Sequence, residues 1–358
     1  MDAPRDPIAA VTHAGPYPYY RDLVARRPVY RDHALGRWIV SSASAVTAAL
    51  TSELCRVRPL AEPVPRALLG SPAGAVFGGL VRMNDGPAHA ALKPGVSATL
   101  GSFDTPVVFE HARRHARALA RAGGVGLADF AFRLPAYVVA SLLGVPDETL
   151  EQTARWTGDL ARCFAPGGAP EQAGAGTVAA ARLRELLPTQ SVGFLFQSYD
   201  ATAGLIGNTL LALARHRELR ARADLAVIVR EVVRFDPPVQ NTRRFLAADG
   251  LVAGQGMKAG DAILVVLAAA NHDPAANPSP ERFDPFRTDR KAFTFGLGPH
   301  ACPGEAIAVA IATAGVEALL AAGVEPARLG SDVGYRPSAN VRVPLLEYSL
   351  GPSGSRPM

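Results

Sequence analysis

A ten-residue run near the C-terminus, Phe295-Gly-Leu-Gly-Pro-His-Ala-Cys-Pro-Gly304, sets a cysteine between glycine turns and a helix start. Gly296 and Gly298 permit backbone angles that other residues avoid and let a bulky partner approach closely. The helix that opens at Gly304 points its N-terminal dipole at the Cys302 sulfur, which favours the thiolate. A sulfur presented in this way is suited to act as an anionic ligand. The plain alternative is a buried free cysteine in a glycine-rich turn. With the composition of this chain, Phe, three Gly, His and Cys fall at these offsets by chance with a probability on the order of 10⁻⁶. Cys55 and Cys163 lack such surroundings and read as small apolar side chains. Three widely spaced cysteines argue against a disulfide framework and fit a reduced cytoplasm.

Upstream, Glu231-Val-Val-Arg234 puts two opposite charges on one helix face at i,i+3, and Pro280-Glu-Arg-Phe-Asp-Pro285 follows it. The pair alone carries little information, because surface helices hold it often. Its order relative to the cysteine loop gives it weight. Together these segments resemble the cytochrome P-450 family, whose haem-ligand loop is written F-G-x-G-x-H-x-C-x-G. The resemblance implies haem b, with Cys302 as the axial iron ligand, pushing electron density toward the metal. It also implies a structural network of Glu231, Arg234 and Arg282 that braces the loop. Phe295, Gly296 and Gly298 shape the loop, and His300 bonds a haem propionate.

Further segments match the same family. Asp85-Gly-Pro-Ala-His-Ala-Ala-Leu-Lys93 resembles D-P-P-x-H-x-R-x-R, with His89 and Lys93 in basic positions and Ala91 in place of the middle arginine. Pro238-Val-Gln-Asn-Thr-Arg-Arg-Phe245 sets Arg244 toward a propionate, with Arg243 as the alternative register. Two carboxylates need such cations if they are not to be buried unpaired. Ala140–Glu148 and Tyr335-Arg-Pro-Ser338 also read like the family, so the resemblance covers nearly the whole chain. Val239, Gln240, Ala339–Val341 and the loop before Asp85 are the expected pocket lining.

The sequence departs from the family pattern in two places. Where the long helix above the haem should read [Ala/Gly]-Gly-x-[Asp/Glu]-Thr, this chain has Gln197-Ser-Tyr-Asp-Ala-Thr202. Asp200 keeps the acid, but Ala201 replaces the alcohol that helps deliver protons to bound oxygen. Thr202 is rotated about 100° around the helix and does not simply substitute. Gln197 and Ser198 share the face of Ala201. Three routes stay open: proton delivery through Gln197, Ser198 and water; delivery through a polar group of the substrate; or a less usual reaction such as peroxide-dependent oxidation, coupling or rearrangement. The second departure is that only 54 positions separate Pro146 from Asp200. One helix fits over Glu171–Leu187, so the lid, at about 150–190, reads as shortened. A substrate presented on a carrier or peptide, or a homodimer partner covering the mouth, follows as an expectation.

The elements that must hold these residues read as one domain over 1–358, mainly α with a minor β component, the cytochrome P-450 fold. Arg37–Val40, Arg244–Val252 and Asp261–Leu267 read as strands, and Pro59–Pro87 reads as an irregular loop. The stretch from Thr105 to Leu225 is helical, broken at Gly123-Gly124, Pro146 and Pro166–Gly168. A helix follows from about Gly304 to Ala322, and further strands close the chain. At 48% hydrophobic and 19% charged, the chain is too apolar for disorder and too interrupted for a multi-span membrane protein. No signal-peptide layout stands at the N-terminus, which fits a cytoplasmic protein. The net charge of +5 is scattered, with no basic tail, so nucleic acid is not the expected partner. The densest cluster, His111–Arg117, reads as a solvated helix face or, with Lys93, as a docking side for an acidic donor. No flavin or iron–sulfur pattern accompanies the chain, so the resemblance implies a separate ferredoxin or flavodoxin. The implied activity is oxidation of an organic small molecule in bacterial specialised metabolism. The reading from another class is a non-catalytic haem-binding sensor.

Overall fold

The computed structural model describes residues 2–122, 125–165, 170–330 and 333–348. Among the described residues twelve α-helices run in order: α1 Tyr17–Arg26, α2 Ala43–Thr51, α3 Pro72–Gly79, α4 Gly86–Gly101, α5 Thr105–Arg121, α6 Leu127–Leu142, α7 Leu150–Phe164, α8 Pro170–Leu186, α9 Thr189–Arg215, α10 Leu225–Phe235, α11 Leu267–Asn271 and α12 Glu305–Ala321. The strands are β1 Val29–Asp32, β2 Arg37–Val40, β3 Cys55–Arg56, β4 Thr242–Leu246, β5 Gly250–Val252, β6 Gln255–Met257 and β7 Ala262–Val265. The fold is therefore mainly α with a small β component, as the sequence suggests.

The larger core is helical. Apolar faces of α5, α6, α9, α10 and α12 meet around Phe130, Leu134, Ile206, Leu210, Val232 and Ile311, each fully or almost fully buried. Burial at this level contributes about 1.5–3 kcal/mol per large aliphatic or aromatic side chain. The segment Gly298–Ala321 is long and apolar enough to cross a membrane by composition. Its helix α12 is instead a core element, with Val309–Val316 buried against α5, α9 and α10.

A five-stranded sheet, in the order β1-β2-β7-β4-β3, packs beside this core, and β5-β6 form a separate hairpin. In the sheet only β2 and β7 run parallel, pairing Trp38 with Ile263 and Val40 with Val265. The expected strand Arg244–Val252 is two strands, because Ala247–Asp249 turn the chain between β4 and β5. The expected irregular loop Pro59–Pro87 contains helix α3, which Ser71 caps through the Gly74 N–H, with Pro72 in the first turn. Near the end of the described chain only the isolated bridges Val239–Val341 and Tyr335–Pro344 form, rather than strands. The predicted breaks at Gly123-Gly124 and Pro166–Gly168 lie outside the described residues.

The expected shortening of the lid falls elsewhere than predicted. Both α7 and α8 are present and pack closely along their length, with Cys163 of α7 against the bare Cα of Gly176, where a Cβ would sit 2.1 Å from the cysteine Cβ. What is short is the joint after them: α8 passes into α9 through Leu187 and Pro188 alone.

A buried ionic knot ties the two ends of the described chain together. Arg342, fully buried, donates to Asp236 Oδ1 at 2.8 Å and to the carbonyls of Val11 and His13. The hydroxyl of Tyr17 also donates to Asp236. Gln240, expected in the pocket lining, belongs here instead, accepting from the Tyr20 hydroxyl at 2.9 Å. Nearby His272 stacks on Tyr17, and burial pushes its imidazole down to about 3, against the pull of the Phe235 carbonyl. His272 is thus neutral when folded, while the unfolded chain protonates it below about 6.5. This contribution is fully present above pH 6.5 and is lost as pH falls toward 3, by at most about 1.4 kcal/mol per unit. Denaturation curves at successive pH values should show a shallower acid loss for His272→Gln than for the parent. Equal slopes would rule this contribution out.

Candidate functional site

The cysteine loop is held from beneath by α10 and α11. Asn271 accepts from the Phe293 N–H at 2.6 Å and donates to Thr294 Oγ1, which donates in turn to the Val233 carbonyl. Gly296 and Gly298 both take φ of +69°, where a side chain is strained, and a Cβ on Gly298 would press on the Leu50 carbonyl at 3.2 Å. The Cys302 N–H donates to the Phe295 carbonyl at 2.8 Å, closing the turn. The Gly304 N–H points at the Cys302 sulfur at 3.4 Å.

Cys302 is solvent-accessible although protein atoms crowd around it, as expected of a sulfur set in a hollow. Burial pushes its thiol up, opposed by the Gly304 N–H and the positive charge of Arg82. Across the hollow, α4 buries Val96 alone among its sixteen residues. A helix this bare, containing Pro94 and three glycines, is weak by itself and needs something to pack on.

Glu231 and Arg234, both fully buried, form the expected pair, with Arg234 Nε 3.0 Å from Glu231 Oε1. The third member is not the expected Arg282. The Arg282 side chain is exposed, and only its backbone carbonyl takes part, accepting from Arg234 at 2.9 Å. Arg290 supplies the second cation, 2.9 Å from Glu231 Oε2. The P-E-R-F segment turns outward at residue 282, and the chain returns eight residues later. Sequence spacing had no means of marking that return.

His89, Lys93 and His300 lie close together, with Arg244 near Asp85, and the protein already occupies some of their hydrogen-bonding capacity. His300 Nε2 donates to Asp85 Oδ1 at 2.9 Å, and the His89 ring lies 4.4 Å from that of His300. Burial alone would raise the Asp85 carboxyl; His300 and the Val57 N–H hold it below the usual range. Lys93 Nζ donates to the Pro299 carbonyl at 3.1 Å. Arg244 is buried, and among the described residues its side chain bonds only the Arg243 carbonyl; burial draws its pKa down. A buried guanidinium that forms no ion pair within bonding distance among the described residues fits an arriving anion. The exposed sulfur, the uncovered α4 and the free Arg244 together fit a haem with two propionates. Cys302 would hold the metal, and Arg244, His89 and Lys93 the acid groups.

Helix α9 carries Asp200, Gln197, Ser198 and Ala201, the residues expected to move protons. Asp200 Oδ2 is paired with Arg336 Nη2 at 2.6 Å, while its Oδ1 is buried without a partner. Gln197 donates back to the Gly193 carbonyl at 2.8 Å and Ser198 to that of Leu195 at 2.9 Å. Ala201 offers nothing polar. Thr202 turns into the core, 1% exposed with its hydroxyl unpaired, and leaves the catalytic set. The first turn of α9 is fastened to the segment after α3: Gln190 accepts from the Val81 N–H and donates to the Gly79 carbonyl at 2.6 Å.

The basic cluster on α5 is largely self-neutralised. Arg113 pairs with Glu317 and Arg114 with Asp147, both at 3.3 Å, and His115 is buried.

The cytochrome P450 family model matches residues 224–321, the span from α10 through the cysteine loop and α12. Over 354 residues the chain is 26% identical to the biotin biosynthesis cytochrome P-450 of Bacillus subtilis, covering 85% of this chain and 88% of that protein. It is 31% identical over 214 residues to the vitamin D(3) 25-hydroxylase of Pseudonocardia autotrophica, covering 50% of this chain and 53% of the relative. Among solved structures, CalO2 superposes with a TM-score of 0.81 at 27% identity, covering 97% of this chain and 98% of CalO2. P450BioI, solved in complex with an acyl carrier protein ligated to hexadec-9Z-enoic acid, superposes at 0.75 with 24% identity, covering 92% and 95%.

Proposed function

We propose that this chain, an oxidoreductase of the cytochrome P-450 type, is a cytoplasmic, single-domain monooxygenase that oxidises an organic small molecule in bacterial specialised metabolism. The observation that carries the reading is Cys302, set between glycine turns and a helix start, with Arg82 and Lys93 close enough for their charge to act on its sulfur. Haem b, when bound there, supplies dioxygen activation with electrons from a separate ferredoxin or flavodoxin. Salt should weaken the donor's binding if Lys93 helps receive an acidic partner.

The residues of the chain divide the remaining work. Phe295, Gly296 and Gly298 keep the sulfur in one position, and the Gly304 N–H favours its anionic form. Arg244, His89 and Lys93 neutralise the propionates; His300, held by Asp85, orients that edge. On α9 the Ser198 hydroxyl has spent its only hydrogen on Leu195, so it can accept from water but not donate. Gln197 keeps one amide hydrogen and its oxygen. We assign proton transfer to Asp200, with water held by Gln197 and Ser198 where the family has its alcohol. Arg336 keeps one Asp200 oxygen engaged and leaves the other for that water.

Asp200→Asn should lower turnover on the order of a hundredfold, the usual scale of general acid loss. The reduced carbon-monoxide spectrum should stay unchanged, so the loss would lie in proton delivery and not in the haem site. Turnover equal to the parent would remove Asp200 from the relay. Comparing dioxygen plus reduced donor against hydrogen peroxide as oxidant separates the monooxygenase from peroxide-dependent chemistry. Since P450BioI was solved with a carrier-bound acyl chain, the substrate titration should include both free and carrier-bound forms.

A further inference from the structure

Three aromatic rings from three elements form a ladder beside the hollow. Phe77 of α3 meets Phe164 of α7 edge-on at 5.2 Å, and Phe164 meets Phe196 of α9 edge-on at 5.1 Å. A guanidinium caps each end: Arg58 lies 5.2 Å from the Phe77 centroid and Arg82 lies 6.0 Å from that of Phe196. Arg58 spends its donors on the carbonyls of Glu62 and Pro63. Arg82, on the short turn Val81–Met83, has no hydrogen bond and no ion pair among the described residues. Arg243 of β4 likewise lacks a side-chain partner there.

Both Arg82 and Arg243 are exposed at their surface yet enclosed by protein, the same circumstance as Cys302. Desolvation draws the pKa of each down, and Arg243 is lowered further by Arg58, Arg37 and Arg82. Guanidiniums that repel one another in a walled space, with no carboxylate between them, raise the energy of the empty protein. Such an arrangement is stabilised when an anion enters, because arginine grips a carboxylate with two parallel bonds. The aromatic ladder offers the adjoining body of that molecule an apolar wall.

Building on the monooxygenase reading, we propose that Arg82, supported by Arg243 and Arg58, receives a carboxylate on an otherwise apolar, ring- or chain-bearing substrate. The same chemistry has a second source, a haem propionate, so the test must separate the two.

The probe is a phenylimidazole, whose azole nitrogen ligates the haem iron from the pocket side and shifts the Soret band. It is titrated into the holoenzyme in three forms: the neutral parent, a ring carboxylate and the matching primary carboxamide. The acid should bind the parent enzyme at least about ten-fold more tightly than the amide. That ratio should fall to about one in Arg82→Gln and recover in part in Arg82→Lys, with haem content per chain unchanged. Arg243→Gln should reduce the ratio as well, which covers the case of an Arg82 variant that does not fold. A ratio near one in the parent enzyme, or an unaltered ratio in both glutamine variants, overturns the proposal. Loss of haem from Arg82→Gln would assign the guanidinium to a propionate and also overturn it. A neutral parent that produces no shift would defeat the haem-thiolate reading itself, and this inference with it.

Discussion

Cys302→Ser protein should lose the red-shifted reduced carbon-monoxide band that a thiolate ligand gives, and its oxidation of substrate should fall below detection. The reason lies in the electron demand of the reaction and not in packing. The Gly304 N–H and the helix start beyond it are arranged around a negative sulfur, and a serine hydroxyl stays protonated there. An alcohol donates far less electron density to iron than a thiolate, so the push toward oxygen–oxygen cleavage is gone. The fold should survive, because Cys302 belongs to none of the three hydrophobic clusters. Circular dichroism matching the parent, together with the changed spectrum, is the expected pair of results. An unchanged carbon-monoxide band in this variant would refute the assignment of the ligand.

The second large effect is on stability. Glu231 is fully buried and accepts from Arg234, from Arg290 and from the Asp284 N–H. Glu231→Ala leaves Arg234 buried with no counter-charge, a situation that costs about 3–5 kcal/mol. Against a typical net stability of about 5–15 kcal/mol, that loss threatens folding outright. Arg290→Ala should be milder, since Arg290 is partly exposed and Glu231 keeps its bonds to Arg234. Denaturant midpoints in the order parent, Arg290→Ala, Glu231→Ala would bear this out, with haem retention falling in the same order. A Glu231→Ala midpoint equal to that of the parent would show that the network carries no stability.

Local chemistry made much of this molecule readable in advance. The cysteine loop is legible because its glycines, its sulfur and its helix start act on one another within ten residues. Glu231 and Arg234 are legible because a single helical turn brings them together. Arg290 was hidden, since its approach to Glu231 depends on how the intervening loop folds back over 59 positions. Arg82 was hidden for the opposite reason: in sequence it is one arginine among many, and only the walls around it make it unusual. The lid expectation erred because length was charged to the wrong element. A two-helix lid fits between Pro146 and Asp200 once α8 runs directly into α9. Helix α3 escaped notice because its eight residues, half of them Gly or Pro, look like loop until Ser71 caps them.

The two-residue joint at Leu187 and Pro188 has a mechanical meaning. Two residues reach at most about 7 Å, so the C-terminal end of α8 cannot move away without pulling the first turn of α9. That turn is pinned by Gln190 to Gly79 and Val81, next to Arg82. The lid, the start of the oxygen-side helix and the arginine-bearing turn therefore make one jaw and not three independent flaps. A guest too large for the jaw must displace all of it, including the helix that carries Asp200.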